Sequence, residues 1–333
     1  MLAELCDKGS SSLAQKDLLF DSGIYPVYGA AGEITKVDFF HQSKPYLGLI
    51  KDGAGVGRVM KLPANSSVIG TIQYLFPREN VDLKYLYYLI KYLDLGKSNT
   101  GATIPHIYFK DYKKRKVKVR EYSEQKHIGQ TLELIDSHFS TYKNILDQYD
   151  LLIKSRFVEM FGDITARGRF KVKRWKDILD ILNGRDYKNV LVNKGGYPVY
   201  GSGGIIARAS DYICPAGTII IGRKGSINNP ILVNEKFWNV DTAFGIVPKE
   251  TINKNYLFYF CKQYNFNRLN KATTLPSLTK QDLLEIEINI PDLEKQVKFS
   301  RFVDQINKLK SDVQKSINET QLLMDSLMQE YFG

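Results

Sequence analysis

Few residues of this chain are spaced for catalysis. Asp52-Gly53-Ala54-Gly55-Val56-Gly57 has the form of a glycine-rich phosphate cradle. A dinucleotide site of that kind needs a strand before the glycines, a helix directly after them and an acidic residue about 20 positions on. Here Arg58-Val59-Met60-Lys61-Leu62-Pro63 follows and reads as strand and turn, so the glycines are expected between two strands. There is no G-x-x-x-x-G-K-[ST] loop. Of the histidines His41, His106, His127 and His138, the last two fall in a helical stretch and read as surface or seam residues. Asn229-Pro230-Ile231 is too short for the Asn-Pro-Pro-aromatic motif of an amino-methyltransferase. Pro291-Asp292 before Glu294-Lys295 has the outline of a nuclease signature, yet acidic residues at the start of a helix explain it better. Cys6, Cys214 and Cys261 are odd in number and far apart, which excludes a disulfide framework and a structural zinc site and fits a reducing cytoplasm.

What the sequence offers instead is charge and repetition. The 333 residues carry a formal net charge of +11, and 43% are hydrophobic, the composition of an ordinary globular protein. No apolar run reaches the ~18 residues of a membrane span, and residues 1–12 lack the basic-then-apolar pattern of a secretion signal. Residues 1–171 hold a net +6 and residues 172–333 a net +5, so each half is expected to carry its own surface for a polyanion. Tyr25-Pro26-Val27-Tyr28-Gly29 recurs as Tyr197-Pro198-Val199-Tyr200-Gly201. Tyr85-Leu86-Tyr87-Tyr88 recurs as Tyr256-Leu257-Phe258-Tyr259, Thr103-Ile104-Pro105 as Thr274-Leu275-Pro276, and Phe161-Gly162 as Phe332-Gly333. The offset stays at 171 or 172 throughout, so the chain is a tandem duplication.

The elements that hold these motifs follow the same order in each copy. About 120 residues of glycine-punctuated β-type runs are interrupted by helical stretches near 83–93 and 255–264. The compact part is expected to close on an alternating strand, 116–120 in one copy and 285–290 in the other, with Val117 and Ile288, and Val119 and Ile290, facing inward. A long helix comes next. Ile128, Leu132, Ile135, Phe139, Tyr142, Leu146, Tyr149, Ile153, Phe157 and Met160 recur in steps of 3 and 4, a heptad-like seam. The second copy supplies Phe299, Val303, Ile306, Val313, Ile317, Met324, Met328 and Tyr331, with polar Lys310 and Thr320 in the gaps. From 124 to 161 the helix spans about 57 Å at 1.5 Å per residue. So narrow a seam needs a partner, which the other repeat provides, in either direction as far as spacing shows.

The repeated polar loops point to binding. Tyr28-Gly29-Ala30-Ala31-Gly32 and Tyr200-Gly201-Ser202-Gly203-Gly204 let backbone come close to a ligand. Lys51-Asp52-Gly53 and Arg223-Lys224-Gly225-Ser226 set basic and small residues at a strand end, suited to phosphate or guanine edges. Hydroxyl-rich loops, 99–105 and 271–277, form a third pair. The candidate binding residues are therefore Tyr28, Gly29, Gly32, Lys51, Arg58 and Thr103 in the first copy. In the second they are Tyr200, Gly201, Ser202, Arg223, Lys224, Ser226, Asn228 and Thr274. The basic run 110–120 has no basic counterpart and belongs to the first copy alone.

With these motifs in place, the chain resembles the specificity subunit of a type I restriction–modification system. The resemblance rests on Tyr-Pro-Val-Tyr-Gly in both copies, Ile221-Gly222-Arg223-Lys224-Gly225-Ser226, Thr274-Leu275-Pro276-Ser277-Leu278-Thr279-Lys280, and Glu124-Gln125 and Lys295-Gln296 at the helix starts. It rests too on the helix ends 155–162 and 326–333. It implies an α+β architecture: two β-rich target-recognition domains (1–121 and 163–290), each followed by a spacer helix (122–162 and 291–333), the helices pairing as an antiparallel coiled coil. Seam residues would be Leu132, Phe139, Leu146, Ile153, Val303, Ile317 and Met324. It further implies a non-catalytic cytoplasmic subunit that binds no metal or cofactor itself. Its partners would be double-stranded DNA with a bipartite target and two methyltransferase subunits using S-adenosylmethionine. Through these come the restriction subunits, which use ATP and Mg2+; no membrane is involved. A bivalent protein-interaction scaffold is the rival reading. The second copy opens on Lys173-Arg174-Trp175, as the family does, whereas the first opens on Met1-Leu2-Ala3 without the Trp, leaving its first strand open.

Overall fold

The computed structural model describes residues 1–18, 22–98, 105–164, 168–272 and 275–333. They divide into two compact units, Met1–Lys143 with Gln314–Gly333, and Asn144–Val313.

The first unit contains β1 (Cys6–Ser10), β2 (Tyr25–Gly29), β3 (Gly32–Val37), β4 (Tyr46–Ile50), β5 (Val59–Leu62), β6 (Ser67–Val68) and β7 (Ile72–Pro77). Then come α1 (Leu83–Leu93), α2 (Phe109–Tyr112) and the opening of α3 (Tyr122–Phe161). The strands form an antiparallel sheet in the order β1-β7-β4-β5 and a smaller one, β3-β2-β6, in which β2 and β6 run parallel. β4 is buried at every position because β5 and β7 flank it and both faces are covered. Its alternation divides the core: Leu47 and Leu49 pack with α1, while Tyr46 and Ile50 join Val68, Ile72 and Tyr74 on the other side.

The second unit repeats the plan. Here β8 (Lys171–Arg174) and α4 (Trp175–Ile178) precede β9 (Leu179–Asn183), β10 (Tyr197–Gly201), β11 (Gly204–Ala209), β12 (Thr218–Gly222), β13 (Ile231–Val233), β14 (Trp238–Asn239) and β15 (Ala243–Pro248). α5 (Lys254–Gln263), α6 (Lys280–Leu284), β16 (Glu287–Ile290) and α7 (Leu293–Phe332) follow. Its main sheet has the order β13-β12-β15-β9 and its smaller one β11-β10-β14.

The start of each long helix is stapled to the helix before it. Gln125 accepts from the N–H of Asp82 (3.0 Å) and donates to the Arg120 carbonyl (2.8 Å). Gln296 does the same with Asn253 (2.8 Å) and Pro291 (2.8 Å). Asp82 and Asn253 in turn cap α1 and α5 with their side chains. Gly129 has no Cβ because one would meet the N–H of Tyr85 at 2.9 Å. At the aligned position Ser300 fits by accepting from Asn255 (2.8 Å).

Within the first unit, Ile128, Leu132, Ile135 and Phe139 near the start of α3 share a core with Met324, Met328 and Phe332 at the end of α7. Within the second, Ile153, Phe157 and Phe161 at the end of α3 share one with Phe299, Val303 and Ile306 at the start of α7. In each unit the two helices thus run antiparallel, the direction spacing alone left open. Leu146 and Ile317 are half-buried. Lys310, a polar gap in the seam, makes a 2.8 Å ion pair with Asp150 of the other helix.

One expectation needs correcting. Residues 116–120 form no strand, and Val119 is 53% exposed rather than inward-facing. In the second unit the matching stretch, β16, is a strand because β8 pairs with it antiparallel. Among the described residues no strand pairs with 116–120; side chains take its carbonyls instead, the Tyr85 hydroxyl donating to Lys118 (3.0 Å) and Gln125 to Arg120 (2.8 Å). The first strand that the described residues do show in this unit, β1, pairs with β7 as β9 pairs with β15; β8 has no counterpart among them. Leu2 stands in for the missing Trp, its N–H bonding the Arg115 carbonyl (3.0 Å) as that of Trp175 bonds Ile286 (3.0 Å), and both side chains are fully buried.

Candidate nucleic-acid interface

The repeated loops singled out in the sequence meet in space within each unit. In the first, the β2–β3 hairpin turns at Ala30-Ala31, with Gly32 at φ +122°, a conformation that favours glycine. The β4–β5 turn bends through Gly53, Gly55 and Gly57, all at positive φ, and no helix follows it. Gly57 is there for packing, since a Cβ would lie 2.1 Å from the N of Gly96. The guanidinium of Arg58 donates to the Ala30 carbonyl and so ties this turn to the hairpin tip. From the other side, the N–H of Gly53 bonds the Pro105 carbonyl (3.0 Å) and the N–H of Ile107 bonds the Lys51 carbonyl (3.0 Å). Three loops converge.

The second unit builds the same junction. Its hairpin turns at Ser202-Gly203, with Gly204 at φ +125°. A Cβ on Gly222 would meet the Ser226 carbonyl at 2.5 Å and Ser202 Cβ at 3.1 Å, so here the tip rests directly on the β12–β13 turn. The N–H of Gly225 bonds Pro276 (3.0 Å) and that of Leu278 bonds Arg223 (2.9 Å). Arg223 lies over the ring of Phe244 (5.8 Å) and donates to the Asp241 carbonyl (3.5 Å).

The junctions thus gather Gly29, Gly32, Lys51 and Arg58 in one unit, and Gly201, Ser202, Arg223, Lys224 and Ser226 in the other. Arg58, Arg223, Lys224 and Ser226 are exposed and Lys51 and Ser202 half-buried, while Gly29 and Gly201 are buried. Tyr28 and Tyr200 are half-buried at the strand ends, Tyr200 edge-on to Phe237 at 5.3 Å. Burial pushes both phenols above their ordinary range, with Glu33 and Glu235 adding to it, so both stay protonated donors. Asn228 is drawn elsewhere, accepting from the N–H of Phe266 (2.7 Å) and donating to Asn265 (3.4 Å). Thr103 and Thr274 lie outside the described residues.

Sequence reasoning singled out Lys224 but not the residues it and its counterpart are bridged to: the backbone of Asp52 pairs with that of His106, and Lys224 with Ser277 in the same way. Their identities do not repeat; the repeat offset aligns them one by one, and the shared backbone bridge shows which of them face each other. The three thiols are buried and free, and burial holds those of Cys6 and Cys214 up at about 12. Among the described residues no group of His, Cys, Asp and Glu could hold a metal ion, and no helix is long and apolar enough to cross a membrane.

Cations, hydroxyls and open glycine backbone at a loop junction are the materials of a phosphate- and base-contacting surface. The solved S subunit of a type I restriction–modification system from M. genitalium has the same fold: TM-score 0.67 at 18% identity, covering 100% of this chain and 95% of that one. A chain from a study of type I R-M complex assembly and conformational transition superposes with a TM-score of 0.61 at 14% identity, covering 99% and 96%. In sequence, the MjaVIII type I restriction enzyme specificity subunit of Methanocaldococcus jannaschii is 22% identical over 78% of this chain and 72% of its own length. A Mycoplasma pneumoniae protein described as a type I specificity subunit is 29% identical over 44% of this chain, and the match spans 51% of that relative. The profile of the type I restriction modification DNA specificity domain matches residues 1–148 and again 168–320. Both matched stretches carry one of the loop junctions, and the chain belongs to the type I restriction modification DNA specificity family, whose domain it contains twice.

Proposed function

We propose that the chain is the sequence-reading subunit of a type I restriction–modification complex. Each unit reads one half of a bipartite duplex through its loop junction, and the paired helices set the gap between the halves. Catalysis belongs to the partners, with S-adenosylmethionine on the methyltransferase subunits and ATP with Mg2+ on the restriction subunits, in the cytoplasm. The observation that carries this reading is the junction itself, built twice on one backbone plan and furnished with different side chains. A divided target needs just that: one frame, two vocabularies.

A second repeated feature supports two identical partners. Leu151-Leu152 and Leu322-Leu323 occupy aligned positions on α3 and α7 and are exposed by 54, 45, 70 and 50%. Apolar pairs kept at the surface in both copies suit docking of one methyltransferase on each.

Electrophoretic shifts of the chain assembled with its methyltransferase, on duplexes drawn from the host genome, test the reading. Tight binding to a minority of sequences, weakening steeply with salt, is expected. Equal affinity for all sequences, or binding insensitive to salt, would refute it in favour of the protein scaffold.

A further inference from the structure

The bridge at the loop junction has one backbone and two opposed chemistries. Asp52 and His106 form an isolated antiparallel bridge in the first unit, and the aligned Lys224 and Ser277 form the same bridge in the second. The flanking hydrogen bonds match, Gly53 to Pro105 and Gly225 to Pro276 at 3.0 Å each. The backbone bridge is the same in both units, so it does not by itself account for a carboxylate in one copy and an ammonium in the other. Asp52 and His106 are 31% and 22% exposed, Lys224 is exposed and Ser277 half-buried. A Cβ on Gly53 or Gly225 would meet nothing within 4 Å, so a ligand can come close beside either bridge.

We propose that this bridge is a specificity-determining position in each half of the protein. It rests on the DNA-reading function above. The Asp52 carboxylate can only accept, so His106 Nδ1 carries the proton they share, and the imidazole, packed 4.0 Å from the ring of Tyr108, orients the carboxylate. One carboxylate oxygen remains to accept from an exocyclic amino group, N4 of cytosine or N6 of adenine. Lys224 has three donors and no acceptor, and matches the O6 and N7 of guanine. A role in phosphate binding alone fits Lys224 but not Asp52, whose charge repels the backbone.

The test is selection from a pool of duplexes randomised in both half-sites. It uses the full chain with its methyltransferase, as wild type and as Asp52→Asn, Lys224→Gln and Lys224→Asp. Lys224→Gln should relax a guanine preference at one position of one half-site by roughly 5- to 150-fold. Lys224→Asp should turn that position towards cytosine or adenine. Asp52→Asn, which keeps the shape of the side chain, should relax one position of the other half-site. Gap length and the untouched half-site should not change. A uniform loss of affinity over all sequences, or unchanged preferences at every position, overturns the proposal. If the wild type itself selects no sequence, the DNA-reading function falls first and the proposal with it.

Discussion

Two kinds of buried residue show how single side chains hold each unit together. Gln125 and Gln296 are almost fully buried, and each accepts from a backbone N–H and donates to a backbone carbonyl beside it. Replacing either with Ala orphans those groups and should cost about 1–3 kcal/mol, read as a lower denaturation midpoint. In the sequence these glutamines are a motif at a helix start; their purpose becomes visible only when α1 and α5 lie beside them. The buried thiols and phenols make a second prediction. Burial raises Cys6, Cys214 and Tyr85 to about 12, from ordinary values of 9.0 and 10.0. A raised acid binds its proton more tightly folded than unfolded, so the stability it contributes is complete below the unfolded value and lost as pH climbs through the folded one. Unfolding free energy should hardly change with these groups up to about pH 9 and fall between about pH 9 and 12. At pH 8 an alkylating reagent should leave all three cysteines unmodified until denaturant is added, as mass spectrometry would show.

At the level of elements, the helices were the most legible part of the sequence and the strands after the compact domains the least. Regular 3- and 4-residue steps announced α3 and α7 because a helix's own periodicity needs no information from elsewhere. The alternation at 116–120 was equally regular and misled, because a strand exists only if another strand pairs with it. The helix seam supports a prediction about length. Removing one heptad from both helices keeps the seam in phase, so it should shorten the DNA gap recognised and leave both half-sites unchanged, read by methylation mapping. Removing three residues instead rotates the seam and should destabilise the pair. The exposed leucines belong to the same scale: Leu151→Glu with Leu322→Glu should abolish assembly with the methyltransferase while leaving the melting temperature of the chain unchanged, as size-exclusion chromatography and calorimetry would show.

For the whole molecule, the net +11, which divides as +6 and +5 between the two sequence repeats, is expected to act on a polyanion through both halves rather than as one tail. A complex that neutralises about 6 phosphates loses roughly 10^3 in affinity between 50 and 200 mM salt, and the salt slope should be split between the halves. Duplexes carrying both half-sites at the right gap should bind roughly 10^2- to 10^4-fold more tightly than duplexes carrying one, because the second contact becomes intramolecular. A wrong gap should remove that gain.

The sequence alone established the duplication, the order of domain and helix, and the loops worth attention, because repeats and periodicities are local patterns. It could not choose the helix direction, since a seam reads the same way in either sense. That was decided by which helix ends share a core: Phe332 with Tyr85 in one unit, Phe161 with Tyr256 in the other. Nor could it join Asp52 to His106, or Lys224 to Ser277, although the repeat aligns each member of one pair with a member of the other. A repeat aligns positions along the chain, but which two loops meet is decided by the backbone that folds them together, and that pairing is a property of tertiary structure.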